Sequence, residues 1–205
     1  MKTEIICIID KSGSMNKIKN DAIGGFNAFL QEQRKLEDDT RMSVVLFDSS
    51  YRMIQESVLL TEANELDEVN YIPGSMTALY DAIGFSIEKT LESIKSRPDS
   101  EKPDRVLVII LTDGEENRSH EYTREALFNM IEEQRKNDWE FIFLGADQDS
   151  MTAAGAIGIS KGNALNFVSS GKGTREVYGK MSSVTMQYRS SSSATNDSLF
   201  SDDKK

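Results

Sequence analysis

Two uninterrupted apolar runs constrain this chain more than any other feature. Ile5-Ile6-Cys7-Ile8-Ile9 and Val106-Leu107-Val108-Ile109-Ile110-Leu111 contain no polar residue. A strand with one wet face alternates apolar and polar side chains. A strand apolar at every position must be covered on both faces, as at the centre of a mostly parallel sheet with helices above and below. Each run ends in a polar turn. Asp10-Lys11-Ser12-Gly13-Ser14 follows the first, and Thr112-Asp113-Gly114-Glu115-Glu116-Asn117 follows the second. In open α/β sheets ligands bind in the crevice beyond the carboxyl ends of the strands, so both turns lie where function is expected.

Elsewhere the patterning alternates between helix and strand. Ile18, Ala22, Phe26, Phe29 and Leu30 recur at spacings of three and four and predict a helix over about 16–36. Gly24-Gly25 in its middle is explained by close packing against the sheet. Residues 41–47 read as a strand, 48–50 as a turn and 51–60 as a second strand. So short a link requires an antiparallel pair, which puts 51–60 at an edge. A short helix is expected near 63–69, then a turn at Pro73-Gly74-Ser75-Met76. Thr77 is expected to N-cap a long helix with the stripe Leu79, Ile83, Ile87, Leu91 and Ile94.

A helix over 121–137 faces inward through Ala126, Leu127, Met130 and Ile131. A strand at 139–144, a short helix at 150–157, a last strand at 164–168 and a closing helix at 174–188 complete the order β-α-β-β-α-β-α-β-α-β-α. The expected fold is a doubly wound α/β domain over residues 1–189, with a mostly parallel six-stranded sheet, one antiparallel edge strand and helices on both faces. From Ser190 to 205 a serine-rich, charged stretch predicts a disordered tail.

Charge narrows the function. Twenty-four basic against 34 acidic residues leave a net charge of −10, the wrong sign for a phosphate-binding surface. Nucleic acid is therefore not an expected partner, whereas divalent cations are. The single cysteine, Cys7, falls in a predicted buried strand, where it serves as a small core hydrophobe and excludes a disulfide framework. No leader-like segment precedes the first strand, and no apolar run approaches the roughly 20 residues of a membrane span. A cytoplasmic location is the expectation.

Strand ends and helix starts together offer a set of hard oxygens: Asp10, Ser12 and Ser14; Thr77; and Asp113. Two carboxylates and three hydroxyls suit Mg²⁺, which prefers oxygen ligands and keeps several waters. Soft metals are disfavoured, because Cys7 is buried and the only histidine, His120, reads as solvated at a helix start. In this order and context the residues resemble the metal-ion-dependent adhesion site of a von Willebrand factor A domain. The resemblance spans roughly residues 3–189.

That resemblance implies that Ser12, Ser14 and Thr77 offer hydroxyls to the metal. Asp10 and Asp113 would hold it directly or through waters. Mg²⁺ is the implied ion, with Mn²⁺ and Ca²⁺ as alternates. It also implies a protein partner whose Asp or Glu completes the coordination. The chain is also similar to small stand-alone domains of this family in bacteria and their phages, which implies a role in assembly, in stress response or with an ATPase partner.

The neighbours carry two readings each. Asp81 is either a support for the metal ligands or an acid placed by the helix dipole. Glu115 and Glu116 either shape the rim or are solvated, and Asp147 and Asp149 serve equally well as turn and cap residues. The alternative function is a magnesium-dependent phosphotransferase of the haloacid dehalogenase kind. It calls for an acid two residues beyond the nucleophilic aspartate, and Ser12 stands there instead, a poor proton shuttle near neutral pH. No Gly-x-Ser-x-Gly elbow and no glycine-rich Lys-Ser/Thr loop is present. A non-enzymatic binding domain is the favoured expectation.

Overall fold

In the computed structural model, which describes residues 1–147, 149–191 and 198–200, the two apolar runs lie side by side in the middle of one sheet. The elements are β1 (Thr3–Asp10), α1 (Lys19–Gln33), β2 (Thr40–Phe47), β3 (Tyr51–Leu59), α2 (Leu79–Ser96), β4 (Arg105–Thr112), α3 (Arg124–Arg135), β5 (Trp139–Ala146), α4 (Ser150–Ala156), β6 (Ala164–Phe167) and α5 (Gly171–Ser190). Their order is the one expected. The six strands stand in the order β3-β2-β1-β4-β5-β6, all parallel except β3, which pairs antiparallel with β2 at the edge. Every residue of β1, β4 and β5 is buried, as uninterrupted apolar strands require.

The two-residue period of the strands divides the core into two layers. Ile5, Cys7, Ile9, Leu107, Ile109 and Leu111 pack on one face with α1 and α5. Ile6, Ile8, Val106, Val108 and Ile110 pack on the other with α2, α3 and α4. From β1 the chain winds outward through β2 to β3, then crosses back to β4 on the opposite flank. The order therefore reverses between β1 and β4, which opens a crevice at their carboxyl ends. No helix among the described residues is long and apolar enough to cross a membrane.

Several local expectations are corrected. The first helix begins as a 3₁₀ turn over Gly13–Ile18 before α1 starts at Lys19. No helix forms at 63–69. That stretch is held instead by Ala63, Leu66 and Tyr71, which reach into the core from an irregular path. The residue before α2 is Ala78, so Thr77 lies one position outside the expected cap. Leu91 and Ala126 face solvent, at the outer margins of their helical stripes. Within the expected tail, Leu199 and Phe200 pack against the α1–α5 layer, with Phe200 N–H donating to the Gly162 carbonyl at 3.0 Å. Both carry the apolar surface that the surrounding serines lack. Residues 192–197 and 201–205 lie outside the described residues.

The glycine pair in α1 is also reassigned. Gly25 packs against a helix rather than the sheet, since a Cβ placed there would lie 2.2 Å from the Tyr178 ring of α5. Gly24 faces open space. The two neighbours should therefore respond in opposite directions. Gly25→Ala is expected to destabilise the protein by about 1–3 kcal/mol through overpacking. Gly24→Ala should stabilise it by about 1 kcal/mol through helix propensity. Chemical denaturation of the two variants checks this, and the same sign for both would contradict the packing described.

Candidate metal centre

The Asp10–Ser14 turn leaves β1 at the point where the strand order reverses. Asp10 is fully buried, and its carboxylate is held from two sides. Oδ1 accepts the Ser12 N–H at 2.6 Å, and Oδ2 accepts the Thr112 hydroxyl of β4 at 2.6 Å. Burial pushes the Asp10 carboxyl up to about 6, against the lowering effect of those hydrogen bonds, and the nearby Asp113 charge adds to the rise. Lys11, adjacent in sequence, turns away to form an ion pair with Asp48.

The remaining oxygens line up beside it. Ser12 Oγ lies 3.1 Å from Ser14 Oγ, and the Ser14 hydroxyl donates to Asp113 Oδ1 at 2.5 Å. Burial also raises the Asp113 carboxyl, and Asp147 adds to the rise at longer range. Thr77 approaches from the start of α2. A Cβ placed on Gly114 would lie 2.7 Å from Thr77 Oγ1, so glycine after Asp113 is what lets the two segments close. All five residues singled out in the sequence thus converge on one spot, although Asp10 and Asp113 are separated by 103 positions.

Thr77 and Asp113 are brought together by Asn117 and Ser119, which sequence patterning did not single out, and by Glu116 and Asp81, which it left with two readings each. Thr77 N–H donates to the Asn117 side-chain oxygen at 3.0 Å, and Asn117 N–H donates to the Thr77 carbonyl at 3.1 Å. Glu116 accepts the N–H of Tyr80, and the Ser119 hydroxyl accepts that of Asp81, which caps α2 from outside its own chain segment. In return, Asp81 accepts the N–H groups of His120, Glu121 and Tyr122 at 2.9, 3.0 and 2.9 Å. Asp81 is therefore a clamp between α2 and the segment carrying Asp113, a role distinct from a dipole partner. Its sequence signal is an acid one turn after Thr77 on the same helix face, which left both a supporting role and a dipole partner open. Tyr71, also missed, donates its hydroxyl to the Asp10 carbonyl at 2.6 Å and fixes the opposite wall. His120 is exposed, as expected.

The donor chemistry fits a hard divalent cation. No group of three His, Cys, Asp or Glu side chains converges as a metal site among the described residues. Here two carboxylates share the site with the hydroxyls of Ser12, Ser14 and Thr77. Burial raises both carboxyls and the Asp113 charge adds to the rise at Asp10, so the paired acids are placed for a cation to neutralise.

Comparisons place this fold among known proteins. The family model described as von Willebrand factor type A domain matches residues 4–179. Proximal thread matrix protein 1 from the mussel byssus is similar at 15% identity over 87% of this chain and 46% of its own, with a TM-score of 0.63. A second structure of that protein, described with a zinc-occupied MIDAS motif, superposes with a TM-score of 0.62. The ArnB paralog VWA2 from Sulfolobus acidocaldarius is 18% identical over 87% of this chain and 44% of its own, at a TM-score of 0.58. The vWF domain of the type V pili tip protein Mfa5 from Porphyromonas gingivalis is 9% identical, covers 95% of this chain and 98% of its own, and superposes at 0.66. This chain spans less than half the length of the byssus and ArnB-paralog structures. At these identities the likeness is one of fold. No curated protein sequence matches.

Proposed function

From the premise that this chain belongs to the von Willebrand factor type A family, we propose that it is a divalent-cation-dependent protein-binding module. Domains of this family generally serve as interaction modules. The observation that carries the reading is the convergence of Asp10, Ser12, Ser14, Thr77 and Asp113 at the β1–β4 switch point. These five residues would hold the ion, Mg²⁺ by preference for hard oxygens, with Mn²⁺ and Ca²⁺ as alternates. The zinc-occupied MIDAS motif of the byssus protein supports a metal at the equivalent place in the fold.

When bound, the ion supplies positive charge with an open position for an anionic ligand, here an Asp or Glu of the partner protein. The chain's own residues prepare for it. The Ser12 N–H and the Thr112 hydroxyl orient the Asp10 carboxylate, and the Asn117–Thr77 pair sets the distance between α2 and the Asp113 turn. Hydroxyls contribute oxygen without charge, so only two formal negative charges face a divalent ion. Those two charges only balance the ion, so a position left to water stays open to exchange for a partner's carboxylate. Ser12 stands where phosphoryl transfer from an aspartate would need an acid, so the site is built for binding. ATPases and assembly factors are the partner classes we propose, in a cytoplasmic bacterial or phage setting.

Metal removal provides the test. Isothermal titration of the EDTA-treated, dialysed protein with MgCl₂ is expected to show saturable binding with one ion per chain, and added EDTA should reverse it. A heat trace indistinguishable from buffer, for both Mg²⁺ and Mn²⁺, would sink the proposal.

A further inference from the structure

The two flanks of the site differ in chemistry. On the side toward β2, three hydrogen bonds tie the 71–75 loop to the end of β1. The Tyr71 hydroxyl donates to the Asp10 carbonyl at 2.6 Å, Gly74 N–H to the Lys11 carbonyl at 2.8 Å, and Gly13 N–H to the Ser75 carbonyl at 3.0 Å. Ile72 lies within this tethered loop and Met76 directly follows it, and they are 61% and 45% exposed. A lone exposed apolar residue is ordinary, but two held by a fixed loop at the rim of a binding site form an apolar shoulder.

On the side toward β5, a cleft of about 310 Å³ opens between the start of α2, the turn after Asp113 and α4. Buried Leu79 and Ile157 form its floor, and Glu115 and Asp149 stand exposed on its walls. The Glu116 carboxylate is already spent on backbone N–H groups, and that of Asp149 accepts the Thr152 N–H and hydroxyl at 3.1 and 2.6 Å. Glu115 is thus the wall carboxylate that answers a partner's cation, and Arg124 is the one cation among the described residues lining the cleft. The walls therefore carry a net negative charge over an apolar floor. Asp147 adds a further exposed carboxylate close enough to raise that of Asp113. A purely acidic segment approaching the metal from this side would be repelled. An amphipathic cation suits the cleft, with its alkyl stem on the floor and its charge on the walls.

We propose that the occupant is a partner segment presenting three groups in order across the site. They are a large apolar side chain against Ile72 and Met76, a carboxylate at the metal centre, and a Lys or Arg in the Glu115–Asp149 cleft. This inference rests on the metal-dependent reading and adds the partner's flanking chemistry. The strand order supplies the direction, because β2 and β5 lie on opposite sides of the β1–β4 pair.

The test is selection of random peptides displayed on phage against the full chain in excess Mg²⁺, with counter-selection on Asp113→Ala. Enriched peptides should carry an acidic residue with an apolar residue on one side and Lys or Arg on the other. For a synthetic copy of such a peptide, Glu115→Lys should weaken binding by about fivefold or more. Changing the peptide's cation to Glu should restore it, a rescue that a structural effect of Glu115 would not produce. Peptides that bind through an acid with no flanking preference, or no rescue on charge reversal, overturn the inference and leave the metal-dependent reading standing. Enrichment that is insensitive to EDTA, or equal on Asp113→Ala, overturns both.

Discussion

Asp113→Ala is expected to abolish measurable Mg²⁺ binding while leaving the metal-free fold nearly as stable as the wild type. In the proposed site two carboxylates would face a divalent ion, so removing one halves the formal charge. At an effective dielectric near 20, a unit charge pair at about 4 Å is worth about 4 kcal/mol, which makes a loss of affinity beyond about 100-fold the expected size. The metal-free protein should lose little, because burial and the Asp147 charge oppose the attraction of Lys17 for Asp113, whose side-chain contact is with exposed Ser14. Titration calorimetry and thermal melting in EDTA read the two effects separately. Undiminished Mg²⁺ heat would remove Asp113 from the site.

Asp81→Ala should do the reverse and damage the fold first. Its carboxylate accepts three backbone N–H groups, those of His120, Glu121 and Tyr122. Truncation leaves all three without that acceptor, and the exposed ones recover partners from water. A cost of about 3 kcal/mol is expected, which for a chain of this size lowers the melting temperature by roughly 6–12 °C. The variant should also bind Mg²⁺ more weakly, because the freed segment carries Asn117 and Glu116, which hold the Asp113 turn against Thr77 and Tyr80. A melting temperature equal to the wild type would mean that α2 and this segment are joined by other contacts.

The contrast between Asp113 and Asp81 shows which parts of the site were legible. Asp10, Ser12, Ser14 and Asp113 sit directly after apolar runs, where chain direction alone delivers them to the crevice. Thr77 could be placed because a turn and a helix surround it. Asp81 could not be assigned. Its partners lie 39–41 residues away, and nothing in a helix stripe reports which loop will cover its first turn. Asn117, Thr112 and Tyr71 were missed for the same reason, since each acts through long-range hydrogen bonds.

The errors in the fold share that origin. Gly25 was rightly read as a packing residue, but its neighbour is Tyr178 of α5, which only the pairing of two helices on one face could reveal. The 63–69 segment has helix-like spacing, yet Leu66 and Tyr71 are drawn into the core by the path the chain must take between β3 and α2. The Leu199–Phe200 pair was read with its polar surroundings, and its docking depends on a surface built from α5 and the 162–163 turn.

By itself, the sequence determined the order and type of the strands and helices, the burial of β1 and β4, the antiparallel edge and the set of hard oxygens at the strand ends. These follow from local period and from short links that admit one geometry. The tertiary structure decided that β4 lies against β1, so that the Ser14 hydroxyl meets a carboxylate 99 residues away. It also decided how α2 and the segment after Asp113 cap one another. Such contacts depend on which faces the packed layers bring together, and that choice is made by burying the whole apolar surface at once rather than by any stretch of chain read alone.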